Sequence, residues 1–283
     1  MIDLFGLSGK VALVVGGGQG IGAATAHRLS LAGCAVAVAD LELERAQAVV
    51  AQLHEAGGRA VALQADILES GAGERLIEQS IAGLGGFDIL VTIVGAAKFG
   101  SVIEVTEAEW DRDQDRNLRY FYFLCQAAAR SFIRRKMPGT IVGMASAGGI
   151  GAMPFRSAYG AAKAALIHLV RSLSVELGGY GIRINAVAPG LTVTPRTAAR
   201  MGVDHVQAEI ARIPLGRLGT PEDVANVILF YASELSGHVT GTTLVVDGGA
   251  IEAPPYDLGP SRAASERNRK ALGIDLGPGA DHA

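Results

Sequence analysis

Short apolar segments alternate with longer stretches of helical period along most of this chain. Such alternation is typical of repeated strand–helix–strand units, in which parallel strands are buried on both faces. The pattern predicts seven strands, at 11–15, 35–39, 60–64, 89–93, 140–144, 183–188 and 243–246. It predicts six helices, at 21–32, 43–56, 73–84, 107–135, 158–178 and 221–232. We therefore expect an α/β fold with one doubly wound, parallel seven-stranded sheet and helices on both faces.

Nothing divides the first 252 residues into separate units, because the sequence shows neither an internal repeat nor a linker rich in proline or serine. A length of 283 residues also suits one large α/β domain. Residues 253–283 differ, since Pro254, Pro255, Pro260 and Pro278 interrupt any regular element. We expect one domain over 1–252 and a tail over 253–283 that is loosely docked or partly disordered.

Composition limits the partners of this chain. Hydrophobic residues make up 49% and charged residues 19%, which supplies a large core and argues against disorder. A net charge of −3 favours neither nucleic acid nor a membrane surface, so we expect a small-molecule substrate. The first residues lack the features of a secretory signal, and we expect a cytoplasmic protein. Cys34 and Cys125 are expected to be buried thiols, and six histidines without zinc-like spacing predict no metal site.

A glycine-rich turn, Gly16-Gly17-Gly18-Gln19-Gly20-Ile21-Gly22-Ala23, joins the first predicted strand to the first helix. Glycines permit a tight turn and let the backbone approach a pyrophosphate, whose charge is favoured by the positive end of the new helix. A glycine run alone also fits an ordinary turn. The position between a strand and a helix favours a phosphate cradle here.

Asp40 ends the second predicted strand. A carboxylate at that place can accept hydrogen bonds from the ribose hydroxyls of an adenosine. Because Leu41 follows it and Gln19 lies in the glycine turn, we expect no cation near Asp40 that would neutralise a 2′-phosphate. The sequence therefore favours NAD over NADP. Asp66 and Ile67, after the third strand, are placed to meet an adenine ring, although an Asp that forms a turn fits equally well.

Tyr159 and Lys163 are one helical turn apart and share a helix face. By itself that spacing is common on exposed helices. Ser146 favours a ligand site over an ordinary exposed helix face, because it follows the fifth predicted strand. That edge of the sheet is where ligands bind in open α/β folds. The phenol of a tyrosine, with an ordinary pKa near 10, becomes a usable acid and base when an ammonium and a nicotinamide cation stabilise its phenolate.

Together these motifs resemble the short-chain dehydrogenase/reductase family, in its common subgroup of about 250 residues, over roughly 7–249. The glycine pattern of the family falls on Gly16, Gly20 and Gly22, with Val15 where threonine is usual. Residues 185–190 and 244–249 are similar to its later signatures. Its serine, tyrosine, lysine and helix asparagine fall on Ser146, Tyr159, Lys163 and Asn117.

The chain departs from the family pattern after the fourth strand, where Thr92-Ile93-Val94-Gly95 replaces Asn-Asn-Ala-Gly. This change removes amide groups that help to brace the sheet and the cofactor's ribose, so the family's cofactor contacts carry over least at this segment. Gly143 and Ala162 also differ from frequent residues, and neither change removes a proton-transfer group.

The resemblance implies a Rossmann fold and hydride transfer between a nicotinamide cofactor, NAD by preference, and an alcohol or ketone. In this reaction, Tyr159 would be the acid/base and Ser146 would hold the substrate oxygen. Lys163 would bind the nicotinamide ribose and lower the pKa of Tyr159. Asn117 would hold water in a proton relay. Cofactor contacts would come from Gly16, Gln19, Gly20, Ile21, Asp40, Leu41, Asp66, Ile67, Thr92, Tyr159, Lys163, Thr192 and Thr194. Family members are generally dimers or tetramers, and we expect a homotetramer.

Apolar residues near these motifs suggest the substrate. They are Ile150, Met153 and Phe155, and then Val203, Val206, Ile210 and Ile213 at helical spacing. If they line the pocket, the substrate is a hydrophobic secondary alcohol of alicyclic, terpenoid, aromatic or steroid-like type; they equally fit packing against the body of the fold. Lys98, Arg156 and Arg196 leave open an acidic substrate group. A 3-oxoacyl-thioester reductase and a non-catalytic nucleotide-sensing protein are the alternative functions.

Overall fold

A computed structural model describes residues 3–199, 202–253, 267, 268, 270, 271 and 273 of the chain. Almost all of the predicted tail over 253–283 lies outside these residues. Among the described residues, none of the helices has the length and apolar character that crossing a bilayer requires.

The predicted seven-stranded parallel sheet is confirmed. Neighbouring strands are all parallel, in the order β3-β2-β1-β4-β5-β6-β7. The strand bounds agree with the sequence pattern to within one residue at each end. They are β1 (Val11–Val15), β2 (Ala35–Asp40), β3 (Ala60–Gln64), β4 (Ile89–Thr92), β5 (Gly139–Met144), β6 (Ile182–Pro189) and β7 (Thr243–Val246).

The helices also follow the sequence pattern, with one interruption and two additions. The predicted helix over 107–135 is divided by a π-helical turn, Asp115–Arg119. Two shorter helices precede the last predicted one, where the sequence suggested only apolar spacing. The helices are α1 (Gly20–Leu31), α2 (Leu43–Glu55), α3 (Ala72–Leu84), α4 (Glu107–Gln114), α5 (Tyr120–Arg134), α6 (Ser157–Gly178), α7 (Pro195–Ala198), α8 (Val203–Arg212) and α9 (Pro221–Ala232).

Both faces of the sheet are buried, as expected for parallel strands between two helical layers. Along β1, Val11, Leu13 and Val15 belong to one apolar cluster with residues of α3, α5 and α6. Ala12 and Val14 point the other way, into a second cluster with residues of α1, α2 and α9. This alternation fixes the register of β1, because a slip by one residue would exchange the two faces.

Candidate active site

The strand order reverses at β1, which lies between β2 and β4 although β3 follows β2 in the chain. Because crossovers on the two sides of such a point diverge, a crevice opens outside the carboxyl ends of the strands. The residues that end β1, β4 and β5 are Val15, Thr92 and Met144. Most of the predicted site residues end or follow strands at this edge, and Asn117 lies on the π-helical turn between α4 and α5.

The glycine turn leaves β1 and enters α1 at Gly20. Gly16 adopts a φ of 81°, and the amides of Gly16 and Gly17 both donate to the Ala39 carbonyl, at 2.8 and 3.0 Å. A methyl group at Gly22 would collide with the Gly16 carbonyl oxygen. The backbone is therefore folded tightly against the start of α1, whose positive end favours an anion. The turn fits a pyrophosphate.

Asp40 ends β2 beside this turn, as predicted, and its Oδ2 accepts a hydrogen bond of 3.0 Å from the Gly18 amide. The expectation that no cation lies near it is wrong. Arg45 forms an ion pair with Asp40, with Nη2 3.0 Å from Oδ1. The sequence offered a signal for this contact, because α2 begins at Leu43 and its first turn brings residue 45 back toward the end of β2.

Asp66 has the turn-forming role that the sequence left open as one alternative. Its Oδ1 accepts a hydrogen bond of 2.9 Å from the Leu68 amide, so it forms a turn. It also lines a pocket of about 350 Å³ with Leu41. The other lining residues are Gln64, Ala65, Glu69, Arg75, Leu76 and Gln79.

Ser146, Tyr159 and Lys163 lie at the opposite end of the crevice. Lys163 is 1% exposed, and its Nζ lies 5.7 Å from the centre of the Tyr159 ring and donates to the Met144 carbonyl at 2.7 Å. Ser146 is buried and accepts a hydrogen bond from the Gly148 amide through Oγ, at 3.1 Å. The phenol, the hydroxyl and the ammonium are thus brought together just beyond β5.

Asn117 joins this group from the π-helical turn between α4 and α5. Its side chain is 0% exposed; Nδ2 donates to the carbonyls of Ala96 and Asp113, and Oδ1 accepts from the Ala96 amide. A methyl group built on Gly95 would lie 3.0 Å from Asn117 Oδ1 and 3.2 Å from Lys163 Nζ. Asn117 and Lys163 therefore meet at Gly95. π-Helical turns are often found at functional sites.

The segment after β6 closes over the crevice. Thr192 is buried, and its hydroxyl donates to the Gly190 carbonyl. Thr194 caps α7 and lies 3.2 Å from the position that a Gly20 methyl group would take. From the same helix, Arg196 donates to the Gly95 carbonyl at 2.9 Å. Residues 194–196 therefore touch both the glycine turn and the segment beside Lys163.

Two exposed aromatic rings stand at the rim of the reactive end. Phe99, after β4, and Phe155, before α6, are 65% and 55% exposed and stack with ring centroids 5.3 Å apart. Phe155 has a φ of 62°, an unusual conformation for a bulky residue. The Gly100 amide donates to the Phe155 carbonyl, and the Arg156 guanidinium lies 6.0 Å from the Phe99 ring centre.

Comparisons with known proteins identify the family. A family model described as "Enoyl-(Acyl carrier protein) reductase" matches residues 16–250. The chain is 34% identical to a short-chain type dehydrogenase/reductase from Mycobacterium marinum, whose crystal structure superposes with a TM-score of 0.82. The match covers 88% of this chain and 98% of that one. The chain belongs to the short-chain dehydrogenase/reductase family.

Two further relatives in this family carry named activities. One is a 7α-hydroxysteroid dehydrogenase whose structure contains NADH and 7-oxo glycochenodeoxycholic acid. It is 32% identical to this chain and superposes with a TM-score of 0.84. The match covers 88% of this chain and 98% of that chain. The (3R)-3-hydroxyacyl-CoA dehydrogenase of Rattus norvegicus is 37% identical over 253 residues, which are 86% of this chain and 96% of the relative. As a family member, the chain is an oxidoreductase that acts on a hydroxyl or ketone substrate with a nicotinamide cofactor.

In this dehydrogenase/reductase, Thr92, where the sequence departs from the family pattern, is held by a contact with Tyr120. Thr92 is fully buried, and its hydroxyl lies 2.7 Å from the hydroxyl of Tyr120, which in turn donates to the Val94 carbonyl at 2.9 Å. The Thr92 hydroxyl therefore faces α5, and the expected contact of Thr92 with the cofactor stays a prediction. The Thr92–Tyr120 pair braces the strand end where the family pattern has an amide.

The surroundings of Tyr159 in this family member disfavour its phenolate, because its pKa is raised. Burial raises the pKa of Tyr159, and the Ser146 hydroxyl, then Arg196 and Arg156, lower it only in part. Burial, with a smaller contribution from the charge of Arg196, lowers the pKa of Lys163 to about 7. The sequence reasoning missed this effect of the two arginines. When bound, an oxidised nicotinamide would add a positive charge that favours the phenolate.

Several of the other residues that the sequence suggested for the substrate pocket already have contacts within the protein. Lys98 forms an ion pair with Glu109 at 2.8 Å. Ile213 is buried and packs beside Gly248, which supports its role in the body of the fold. The apolar spacing over 203–213 does form α8, but the side chain of Val203 lies outside the described residues. Met153 lies against Gly148, close to Ser146.

Proposed function

We propose that this protein is an NAD-dependent oxidoreductase that interconverts a hydrophobic secondary alcohol and its ketone. The observation that carries the proposal is the meeting of Ser146, Tyr159, Lys163 and Asn117 at one end of a crevice whose other end holds the glycine turn. This arrangement supplies an acid/base and an oxygen-binding hydroxyl beside a dinucleotide cradle.

The roles follow from the contacts of each side chain. When bound, the nicotinamide supplies or accepts the hydride. Tyr159 exchanges the proton of the alcohol oxygen, which the Ser146 hydroxyl holds in place. Lys163, whose ammonium donates to the Met144 carbonyl, would bind the ribose of the cofactor. Its meeting with Asn117 at Gly95 would begin a path for the proton toward water.

The preference for NAD rests on Asp40. Its carboxylate stands at the end of β2 beside the glycine turn, where it can accept hydrogen bonds from a ribose diol and oppose a 2′-phosphate. Gly16, Gln19, Gly20 and Ile21 would hold the pyrophosphate. Leu41, Asp66 and Ile67 would border the adenine, and Thr192 and Thr194 the carboxamide end.

The exposed aromatic rim supports a hydrophobic substrate of alicyclic, terpenoid, aromatic or steroid-like type. Phe99 lies after β4, and Phe155 lies just before α6, the helix that carries Tyr159; the two rings stack. Holding Phe155 in its left-handed conformation costs about 1–3 kcal/mol, and such strain is concentrated at functional sites. The likeness to a steroid dehydrogenase agrees with a rigid apolar substrate.

The second candidate function is a 3-oxoacyl-thioester reductase. It is favoured by the likeness to a hydroxyacyl-CoA dehydrogenase and by the description of the matching family model. A non-catalytic nucleotide-sensing protein is disfavoured, because the proton-transfer side chains are present and assembled.

A panel of secondary alcohols, ketones and acyl thioesters, each with NAD(H) and NADP(H), tests these functions together. We expect turnover of alicyclic or steroid-like alcohols with NAD. Turnover of acyl thioesters alone would establish the second candidate. Nucleotide binding without turnover of any member would favour the sensing protein.

We also propose a homotetramer in the cytoplasm, with residues 1–252 as one catalytic domain. Exposed aromatic residues on α4 and α5, namely Trp110, Tyr122 and Phe123, and exposed Leu244 and Val245 on the edge strand β7, offer two separate apolar contact areas. Two such areas are what a dimer of dimers requires. Measurement of the native mass tests this proposal, and a monomer would contradict it.

A further inference from the structure

Two guanidinium groups, those of Arg156 and Arg196, flank the reactive end of the crevice. Arg156 immediately precedes α6, three positions before Tyr159, and its guanidinium lies 6.0 Å from the centre of the Phe99 ring. Arg196 lies on α7, and its Nη1 donates to the Gly95 carbonyl at 2.9 Å. Both residues are exposed, and among the residues that the structure describes neither forms an ion pair.

The charges of the two guanidinium groups act on the same hydroxyl. Arg196 and Arg156 both favour the ionised form of Tyr159 and lower its pKa, against the larger effect of burial. Arg196 also contributes to the lowered pKa of Lys163. The positive field of the two side chains therefore extends to the place where the substrate oxygen reacts, from the aromatic rim on one side and from the segment after β6 on the other.

The carboxylates beside this part of the crevice already have other cations as partners. Lys98, on the loop after β4, forms an ion pair with Glu109 at 2.8 Å. Asp113 is buried and pairs with Arg116, and its Oδ2 also accepts a hydrogen bond from the Lys98 amide. Within the described part of the chain, the two guanidinium groups therefore leave the reactive end with an excess of positive charge.

This excess becomes costly when an apolar substrate covers it. The stacked rings of Phe99 and Phe155 favour an apolar substrate, which would also displace water from the guanidinium beside the Phe99 ring. A charge that loses water without gaining an anion raises the free energy of the complex. A planar guanidinium binds a carboxylate through two parallel, charge-assisted hydrogen bonds, which offset that loss. A carboxylate on the substrate therefore fits this end better than a neutral group does.

We propose that the substrate of this protein is an alcohol or ketone whose apolar body carries a carboxylate, and that Arg156 and Arg196 bind this carboxylate. The inference rests on the proposed function, because it narrows the substrate class of the same site. Phe99 and Phe155 contact the apolar body, and Tyr159 exchanges the proton of the reacting oxygen. Neutral alcohols and ketones of the same shape are weaker substrates.

The test compares charged and neutral forms of the same ketone, on the full chain with NADH. One probe pair is oxocyclohexanecarboxylate and its carboxamide, and the other is oxocholanate and its carboxamide, which present a larger apolar body. In wild type we expect kcat/KM to be at least about tenfold higher for the carboxylate than for the carboxamide of the preferred pair. Added salt should reduce this preference, because it screens charges at an exposed rim.

Substitutions assign the preference to the two arginines. Arg156→Gln and Arg196→Gln should each reduce the ratio of the two kcat/KM values about threefold, and the double variant about tenfold. Arg156→Lys, which keeps the charge, should retain most of the preference. Lys98→Gln is the matched control, because Lys98 is a cation of the same rim that is already paired with Glu109. It should leave the ratio unchanged.

The outcomes distinguish this inference from the proposed function. Equal kcat/KM for the two members of each pair in wild type, with the ketone still reduced, would overturn the inference alone. An unchanged ratio in the double variant would also overturn it, because another group would then bind the carboxylate. Weakened NADH binding in Arg196→Gln with an unchanged ratio would place Arg196 at the cofactor and overturn its assigned role. Failure of wild type to reduce any of the ketones, with NADH or NADPH, would overturn the proposed function as well.

Discussion

The two ends of the crevice are built in different ways. At the reactive end, Lys163 and Asn117 are almost completely buried, and each is held by backbone groups, the carbonyls of Met144, Ala96 and Asp113. At the adenosine end, the charged side chains hold one another, and Arg45 remains partly exposed to solvent.

This difference predicts that the reactive end governs proton transfer and the adenosine end governs cofactor affinity. Backbone partners cannot be exchanged by substitution, so the proton-transfer groups keep their positions when a neighbour changes. Ion pairs between side chains near the surface are weak and can be rearranged. We therefore expect substitutions at the reactive end to remove activity or alter stability, and substitutions at the adenosine end to shift cofactor affinity by smaller factors.

The largest expected effect is that of Tyr159→Phe, which removes one hydroxyl from the reactive end. Loss of the acid/base should lower kcat by about 10²–10⁴-fold. The dissociation constant of NADH should stay within about twofold, because the ring and Lys163 remain. Steady-state kinetics with NADH titration check both values. A kcat near that of wild type would show that another group transfers the proton.

Gly22→Ala tests whether the pyrophosphate end depends on backbone shape. The added methyl group would meet the Gly16 carbonyl oxygen, so the turn must open. We expect NADH affinity to fall more than tenfold and the free energy of unfolding to drop by about 1–3 kcal/mol. Gly178→Ala is the control, because its added methyl group meets open space. It should lower neither the NADH affinity nor the free energy of unfolding. Equal behaviour of the two variants would contradict the cradle.

Burial of Lys163 predicts how stability depends on pH. Its pKa is lowered from the ordinary 10.5 to about 7, so above pH 7 the unfolded chain binds more protons at this site than the folded chain. The free energy of unfolding should therefore rise from pH 7 to 8.5, by at most about 1.4 kcal/mol per pH unit. Urea unfolding without cofactor measures this slope. Lys163→Met should flatten it and Lys98→Met, at an exposed ion pair, should not; a slope that persists in Lys163→Met would refute the assignment.

The smallest effect is expected for Asp66→Asn at the adenosine end. The amide oxygen can still accept from the Leu68 amide, so the turn is kept and only the charge is lost. NADH affinity should change less than about threefold, since a single hydrogen bond to adenine competes with water. Titration of NADH into the variant measures the change. A loss of tenfold or more would mean that the Asp66 carboxylate, and not its turn, is what the adenine requires.

Much of the fold could be predicted because its signals are local. The seven strands and most helix bounds follow from apolar periodicity, and the glycine turn from its place between β1 and α1. The π-helical turn that holds Asn117 could not be predicted, because its extra residue per turn is stabilised by contacts with the segment at Ala96.

The sequence predicted which residues make up the candidate site better than it predicted the ion pairs and hydrogen bonds among them. Ser146, Tyr159 and Lys163 follow from spacing and strand ends. One expectation was wrong, because the Asp40 carboxylate is paired with Arg45 across the start of α2. The spacing also did not indicate that Thr92 pairs with Tyr120, 28 positions away.

By itself, the sequence determined the order of strands and helices, the glycine turn between β1 and α1 and the candidate proton-transfer side chains, because each depends on residues close together in the chain. Tertiary structure alone decided which of these groups are buried, which are paired, and how their pKa values move. The reason is physical: desolvation and ion pairing depend on neighbours through space, so the raised pKa of Tyr159 and the balanced charge of Asp40 arise only when the strands and helices pack.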